Sequence, residues 1–261
     1  MIGLFDSGVG GLTVAKEVMR KLPGLPLVYF GDTARTPYGN KSAEVVAAYG
    51  LEATKFLVDR GADVLVVACN TVSAVGLEAI HQAYPDLPVI DVVTPAVVAV
   101  IAARAKRVGV MGTRALVGSG IYQRLLKVPG GPSVVTSAAP LLVPLVEENW
   151  LDTPETKRIV KHYLAPFKKA QVDSLVLACT HYPLLKKLIR ARLPKRVQII
   201  DPAEATAAAL VVWLKENPAA AAKLTPGENH FYVSDLTPQA QAIAQAWLRG
   251  GVTLEKAHLT P

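Results

Sequence analysis

Two stretches of the chain end alike. Val64-Leu65-Val66-Val67-Ala68-Cys69-Asn70-Thr71 and Ser174-Leu175-Val176-Leu177-Ala178-Cys179-Thr180-His181 are apolar, mostly branched runs closed by Ala-Cys and then by polar residues. A run that is apolar at nearly every residue, rather than at alternate ones, suits a parallel strand covered on both faces. A helix after each run would put each cysteine at the carboxyl end of a strand, where open α/β sheets hold their ligands. These are the only two cysteines among 261 residues.

Composition narrows the setting. Hydrophobic residues make up 51% of the chain, ample for a packed core, yet no apolar run is long enough to span a bilayer. The opening Met1-Ile2-Gly3-Leu4-Phe5-Asp6 has neither the basic segment nor the cleavage site of a signal peptide. A cytoplasmic location is therefore expected, with no membrane partner, and there two thiols stay free rather than pairing. With no CxxC spacing and few histidines nearby, the cysteines form no metal motif. The net charge of +7 comes from scattered lysines and arginines, with short clusters such as Lys186-Lys187 and Lys157-Arg158 and few aromatics. Solvated helix faces explain that pattern better than a nucleic-acid surface. A milder effect is attraction of a small anionic substrate.

Hydrophobic periodicity reads as alternating strands and helices. A strand at 2–5 runs into the glycine-rich Asp6-Ser7-Gly8-Val9-Gly10-Gly11, after which Leu12, Ala15, Val18, Met19 and Leu22 recur at helical spacing. A strand at 27–30 and a turn-rich loop at 31–40 precede a helix that Ser42 caps and Gly61 stops. The Cys69 strand, a helix to about 84 and a strand at 89–93 follow. After a helix over 96–105 the pattern restarts, because Arg107-Val108-Gly109-Val110-Met111-Gly112-Thr113-Arg114 resembles Ile2-Gly3-Leu4-Phe5-Asp6-Ser7. A helix to about 127, a strand at 134–137, an apolar stretch at 141–150 carrying Glu147 and Glu148, and a helix from Pro154 lead to the Cys179 strand. A helix around 184–192 and a strand at 197–200 complete the second series.

The restart predicts a diverged duplication. The expected fold is α/β, with two similar open-sheet domains related by pseudo-twofold symmetry and a site in the cleft between them. The tail, with a helix over 204–216, a strand at 230–234 and a helix around 238–248, has no counterpart cysteine and is expected to return to the first domain. The expected division is 1–95 with 206–261 for the first domain and 96–205 for the second.

Two thiols across a cleft admit three chemistries. A redox dithiol usually sits as a pair at one helix start, which is absent here. Two inert buried cysteines would suit the burial habit of the residue but leave their matched contexts unexplained. The third is acid–base work on both faces of one carbon, a thiolate removing a proton and a thiol returning one from the opposite side. A thiol with an ordinary pKa of about 8.5 needs only modest help to ionise. His181, two residues after Cys179, and Asp6, in the glycine turn, could each give it, although a hydrogen-bonded structural histidine and a capping aspartate are equally ordinary. Gly8-Val9-Gly10-Gly11 matches neither GxGxxG nor GxxxxGK[ST]. A tight turn with free N–H groups at a helix start would hold a carboxylate instead. Tyr38-Gly39 and Asn70-Thr71 add donors for a small polar ligand, or serve loop geometry and capping.

Five segments together resemble the glutamate racemases, cofactor-independent members of the aspartate/glutamate racemase superfamily. They are Phe5-Asp6-Ser7-Gly8-Val9-Gly10-Gly11, Phe30-Gly31-Asp32-Thr33 with Pro37-Tyr38-Gly39, Ala68-Cys69-Asn70-Thr71, Val146-Glu147-Glu148, and Ala178-Cys179-Thr180-His181-Tyr182-Pro183. The resemblance implies interconversion of L- and D-glutamate by two bases, with no cofactor or metal. It implies Cys69 as the base acting on D-glutamate, assisted by Asp6. It implies Cys179 as the base acting on L-glutamate, assisted by His181, which Glu147 positions; Asp32 is a further catalytic candidate. Asp6, Ser7, Tyr38, Gly39, Asn70, Thr71, Thr180 and His181 would bind the substrate. A homodimer and a role in supplying D-glutamate for bacterial peptidoglycan are also implied. Ala178 stands where the family commonly has glycine, and the choice of Glu147 over Glu148 rests on motif alignment.

Besides a pyridoxal-phosphate enzyme, two rivals stand beside this reading. One is a racemase for aspartate or another acidic amino acid. The other, of a different class, is a protein that closes on an amino acid without chemistry.

Overall fold

The computed structural model describes residues 1–248 and 252–259. The branched apolar runs become strands: β1 (Ile2–Asp6), β2 (Leu27–Gly31), β3 (Val64–Val67), β4 (Val89–Asp91), β5 (Arg107–Gly112), β6 (Ser133–Ala138), β7 (Ser174–Ala178), β8 (Gln198–Ile200), β9 (His230–Val233) and β10 (Glu255–Lys256). They form two sheets, ordered β10-β9-β2-β1-β3-β4 and β6-β5-β7-β8. Every pairing is parallel. Each residue of β1, β2, β3 and β7 is buried, as central strands with helices on both faces require.

The duplication is written in the strand order and the register. β2-β1-β3-β4 and β6-β5-β7-β8 follow one scheme. Ile2 lies opposite Val64 and Val108 opposite Ser174, and Cys69 and Cys179 each fall five residues beyond those partners. Counting forward from Ile2 and Val108, Gly3 matches Gly109 and Ser7 matches Thr113. Both glycines serve close packing. A Cβ on Gly3 would lie 2.7 Å from Ala62 Cβ, and one on Gly109 would lie 2.7 Å from Phe167 Cδ1. β9 and β10 extend the first sheet beyond β2. One hydrophobic cluster runs through both units, joining Leu4, Leu12 and Ala15 to Leu177, Leu185 and Leu210.

Several boundaries differ from the sequence expectation, each for a local reason. β4 ends at Asp91 rather than near 93, because Asp91 Oδ1 accepts the N–H groups of Val93 at 2.6 Å and Thr94 at 2.8 Å. That starts the helix Val93–Ala102, with Pro95 in its first turn, where no N–H is needed. The single helices expected after Cys69 and after β5 are each split at a glycine, Gly76 and Gly120. The helix expected around 184–192 is a 3-10 turn, Tyr182–Leu185, followed by Lys186–Arg190. The apolar stretch carrying Glu147 is a short helix, Leu142–Glu147.

Among the described residues, no helix is long and apolar enough to cross a membrane.

Candidate active site

Cys69 leaves β3 and opens the helix Asn70–Val75, and Cys179 leaves β7. Both thiols are free and buried, and both line one narrow cavity of about 30 Å³. Of the residues expected at a site, Ser7, Tyr38, Gly39, Asn70, Thr71, Thr180 and His181 share that lining. Asp6, Asp32 and Glu147 stand behind it. A larger groove of about 540 Å³ between the helices Val93–Ala102 and Pro202–Glu216 is mainly aliphatic and holds neither cysteine.

The two thiols have different company. Cys69 Sγ lies 3.4 Å from Ser7 Oγ, to which it donates. Burial pushes this thiol up, the charge of Asp6 pushes the same way, and Ser7 with the N–H groups of Val72 and Thr71 pulls back, leaving it at about 12. Cys69 therefore rests as a neutral thiol, a proton donor. Cys179 Sγ lies 3.8 Å from His181 Nδ1, and His181 Nε2 lies 2.9 Å from Glu147 Oε1. Burial pulls the imidazole down, but hydrogen bonds to Cys179 and Glu147 and the charges of both outweigh it, raising His181 to about 10. At neutral pH the ring is an imidazolium, a cation placed against the Cys179 sulfur.

Asp6 sits between the units. Its Oδ2 accepts the N–H groups of Gly8 at 3.1 Å and Gly11 at 2.9 Å, and its Oδ1 lies 3.5 Å from Thr180 Oγ1. Burial raises it to about 6, against the charge of His181 and the N–H groups of Gly11, Gly8 and Ser7. Among the described residues it makes no hydrogen bond to Cys69; its influence there is through charge. The glycine turn was expected to offer its N–H groups to a substrate carboxylate. Asp6 occupies those of Gly8 and Gly11, the capping role that the sequence equally allowed.

Asp32 is fully buried and takes the Tyr38 hydroxyl, Arg35 Nε at 2.6 Å and Ser234 Oγ at 2.7 Å. Arg35 also holds Glu52 at 2.6 Å and lies over the Tyr49 ring. Asp32 thus shapes the loop that presents Tyr38 and Gly39 without itself lining the cavity. Gly39 in turn rests on the other unit, where an added Cβ would stand 2.8 Å from Thr113 Cβ.

Thr36, Pro37, Thr113 and Val143 also line the cavity and were missed in the sequence. For Thr113 the duplication itself was the signal, since Thr113 stands where Ser7 stands in the first unit. Its hydroxyl meets that of Thr71 at 3.0 Å across the units. Among the described residues, no group of three or more His, Cys, Asp and Glu side chains is arranged to hold a metal ion. The arrangement offers a protonated thiol and a thiol with a cationic partner lining one narrow pocket, which is equipment for paired proton transfer.

Comparison with known proteins agrees with this chemistry. A model of the Asp/Glu/Hydantoin racemase family matches residues 13–210. The glutamate racemase of Geobacter metallireducens is 44% identical over 251 residues, covering 95% of this chain and 93% of that protein. The crystal structure of glutamate racemase isoform RacE1 from Bacillus anthracis matches with a TM-score of 0.93 at 37% identity, covering 99% of this chain and 97% of that one. Glutamate racemase from Francisella tularensis, solved in complex with D-glutamate, matches with a TM-score of 0.90 at 34% identity, with coverages of 99% and 97%. A family match over 13–210, and close relatives along nearly the whole length, show that this chain belongs to the Asp/Glu/Hydantoin racemase family and, within it, to the glutamate racemases.

Proposed function

We propose that this protein interconverts L- and D-glutamate by paired proton transfer between two thiols. The observation that carries the reading is the placement of Cys69 and Cys179. They leave register-equivalent strands of two units, line one cavity, and have opposite partners there.

From L-glutamate, Cys179 works as thiolate and takes the α-proton, forming S–H as the Cα–H bond breaks. Cys69 gives its thiol proton to the opposite face of Cα, and the product is D-glutamate with a thiolate left at Cys69. The reverse direction starts from that second protonation state. His181 stabilises negative charge on Cys179, and Glu147 holds the ring. The charge that develops on the substrate needs donors placed in advance and little competing water. Buried Asn70, Thr71, Tyr38 and Thr180, together with Ser7, suit that task, and Asp32 keeps Tyr38 in place. Asp6, next to the Thr180 hydroxyl, acts on Cys69 through its charge rather than by contact.

The substrate choice is supported by the glutamate racemases to which the chain is similar. We assign the chain to the supply of D-glutamate for peptidoglycan, acting in the cytoplasm as a homodimer. Its domains would be 1–95 with 206–261, and 96–205. Sedimentation of the purified chain tests the dimer. The test of function is racemisation of glutamate and of aspartate by purified, reduced protein with nothing added. We expect kcat/KM for glutamate to exceed that for aspartate by about 10²-fold or more, because a pocket matched to one chain length leaves polar groups unpaired with the shorter acid. Preference for aspartate moves the assignment to that racemase, and binding without turnover moves it to the binding-protein class.

A further inference from the structure

The helix Leu12–Lys21 of the first unit begins against the Cys179 segment of the second. A Cβ on Gly10 would stand 2.3 Å from Thr180 Oγ1 and 2.6 Å from His181 Nδ1, so bare backbone is what lets the units meet here. Just beyond, Thr13 is buried and lines no part of the cavity. Its hydroxyl lies 2.9 Å from two carbonyl oxygens, Gly10 O in its own turn and Thr180 O in the other unit. A hydroxyl has one proton to give. Gly10 O already accepts the Thr13 N–H at 3.0 Å, whereas among the described residues Thr180 O receives no other donor. An unpaired carbonyl in this buried contact is costly, so the hydroxyl proton belongs to Thr180 O.

We propose that Thr13 is a positioning residue for the proton transfer: its hydroxyl, given across the two units to the Thr180 carbonyl, fixes the Thr180–His181 peptide and with it the imidazole that faces Cys179. The proposal rests on the two-thiol reading above. A peptide group is planar, so anchoring its oxygen constrains what hangs from both ends. One end is Thr180, whose hydroxyl lies 3.5 Å from Asp6 Oδ1. The other is His181, whose ring bridges Cys179 Sγ at 3.8 Å and Glu147 Oε1 at 2.9 Å. The glycine turn then has a use that nucleotide or carboxylate binding does not require: it receives the other unit's catalytic segment. A Thr13 hydroxyl that merely closed its own turn would leave the thiols indifferent to its removal.

Thr13→Val keeps the shape and removes the proton, whereas Thr13→Ser keeps the proton and removes a methyl group. Variants with unchanged circular dichroism are assayed for racemisation. Separately, alkylation of each thiol by iodoacetamide is followed across pH by mass spectrometry. In Thr13→Val, kcat is expected to fall about 10-fold or more with a smaller change in KM, the scale on which sub-ångström misplacement of reacting groups is felt. Alkylation of Cys179 at neutral pH slows severalfold while that of Cys69 is unchanged, and Thr13→Ser restores both. Wild-type kcat with a wild-type Cys179 profile in Thr13→Val overturns the proposal. Should that variant fail to fold, Thr13→Ala is judged by the same two readouts. Alkylation needs no turnover. A wild-type protein that racemises nothing, yet loses Cys179 reactivity on Thr13→Val, refutes the functional reading while upholding the hydrogen bond.

Discussion

Cys179→Ala is expected to lower glutamate racemisation by about 10³-fold or more, since a positioned proton-transfer group typically contributes between about 10² and 10⁴ and no other side chain stands in its place. The loss in kcat/KM must be equal in both directions, because two enantiomers have equal free energies in water. Hydrogen exchange at Cα is free of that constraint. In heavy water the variant retains only Cys69 to touch the α-proton, so any remaining exchange is confined to D-glutamate. Cys69→Ala gives the mirror result, with exchange confined to L-glutamate. NMR of each enantiomer, incubated separately, reads both effects. Equal exchange of both enantiomers in either variant would mean that one base reaches both faces.

His181→Asn is the second large effect. The imidazolium is held by Cys179 and Glu147 and keeps its proton to about 10, so an amide of similar reach removes the charge that supports the Cys179 thiolate. A fall in kcat of about 10²-fold is expected. The descending alkaline limb of kcat/KM near pH 10, produced in the wild type by loss of this proton, should disappear from the variant. Stability gives an independent readout. With a folded-state value of about 10 against an ordinary 6.5, the native protein holds a proton between those pH values that the unfolded chain has released. The stabilisation from this group is therefore complete below pH 6.5 and is lost as pH rises through about 10. The Tm of the wild type should decline over that window, and that of His181→Asn should decline less.

What the sequence made legible was the part governed by local pattern. Continuous branched runs gave β3 and β7, the glycine shared by β1 and β5 gave the duplication, and the Ala-Cys endings gave the two thiols. What it hid was governed by contact between distant segments. The side chains of Asp6 and Asp32 read alike as acids near a site. Burial places one against Gly8, Gly11 and Thr180 and the other behind Tyr38, Arg35 and Ser234. Thr13 reads as an ordinary residue of a helix start, and only the fold brings Thr180 O to its hydroxyl. Strand β10, of two residues, and the four-residue helix Pro218–Ala221 carry too little periodicity to be seen. The start of the helix Val93–Ala102 was placed three residues late because the Asp91 cap that sets it is not legible from hydrophobic periodicity.

The central claim is that two thiols alone move the proton. Purified, reduced protein is incubated with L-glutamate in heavy water with no cofactor added, and optical rotation and deuterium at Cα are followed together. The account predicts that rotation decays to zero while deuterium enters Cα of the D-glutamate formed. Folded protein with both thiols reduced that changes neither signal would contradict it.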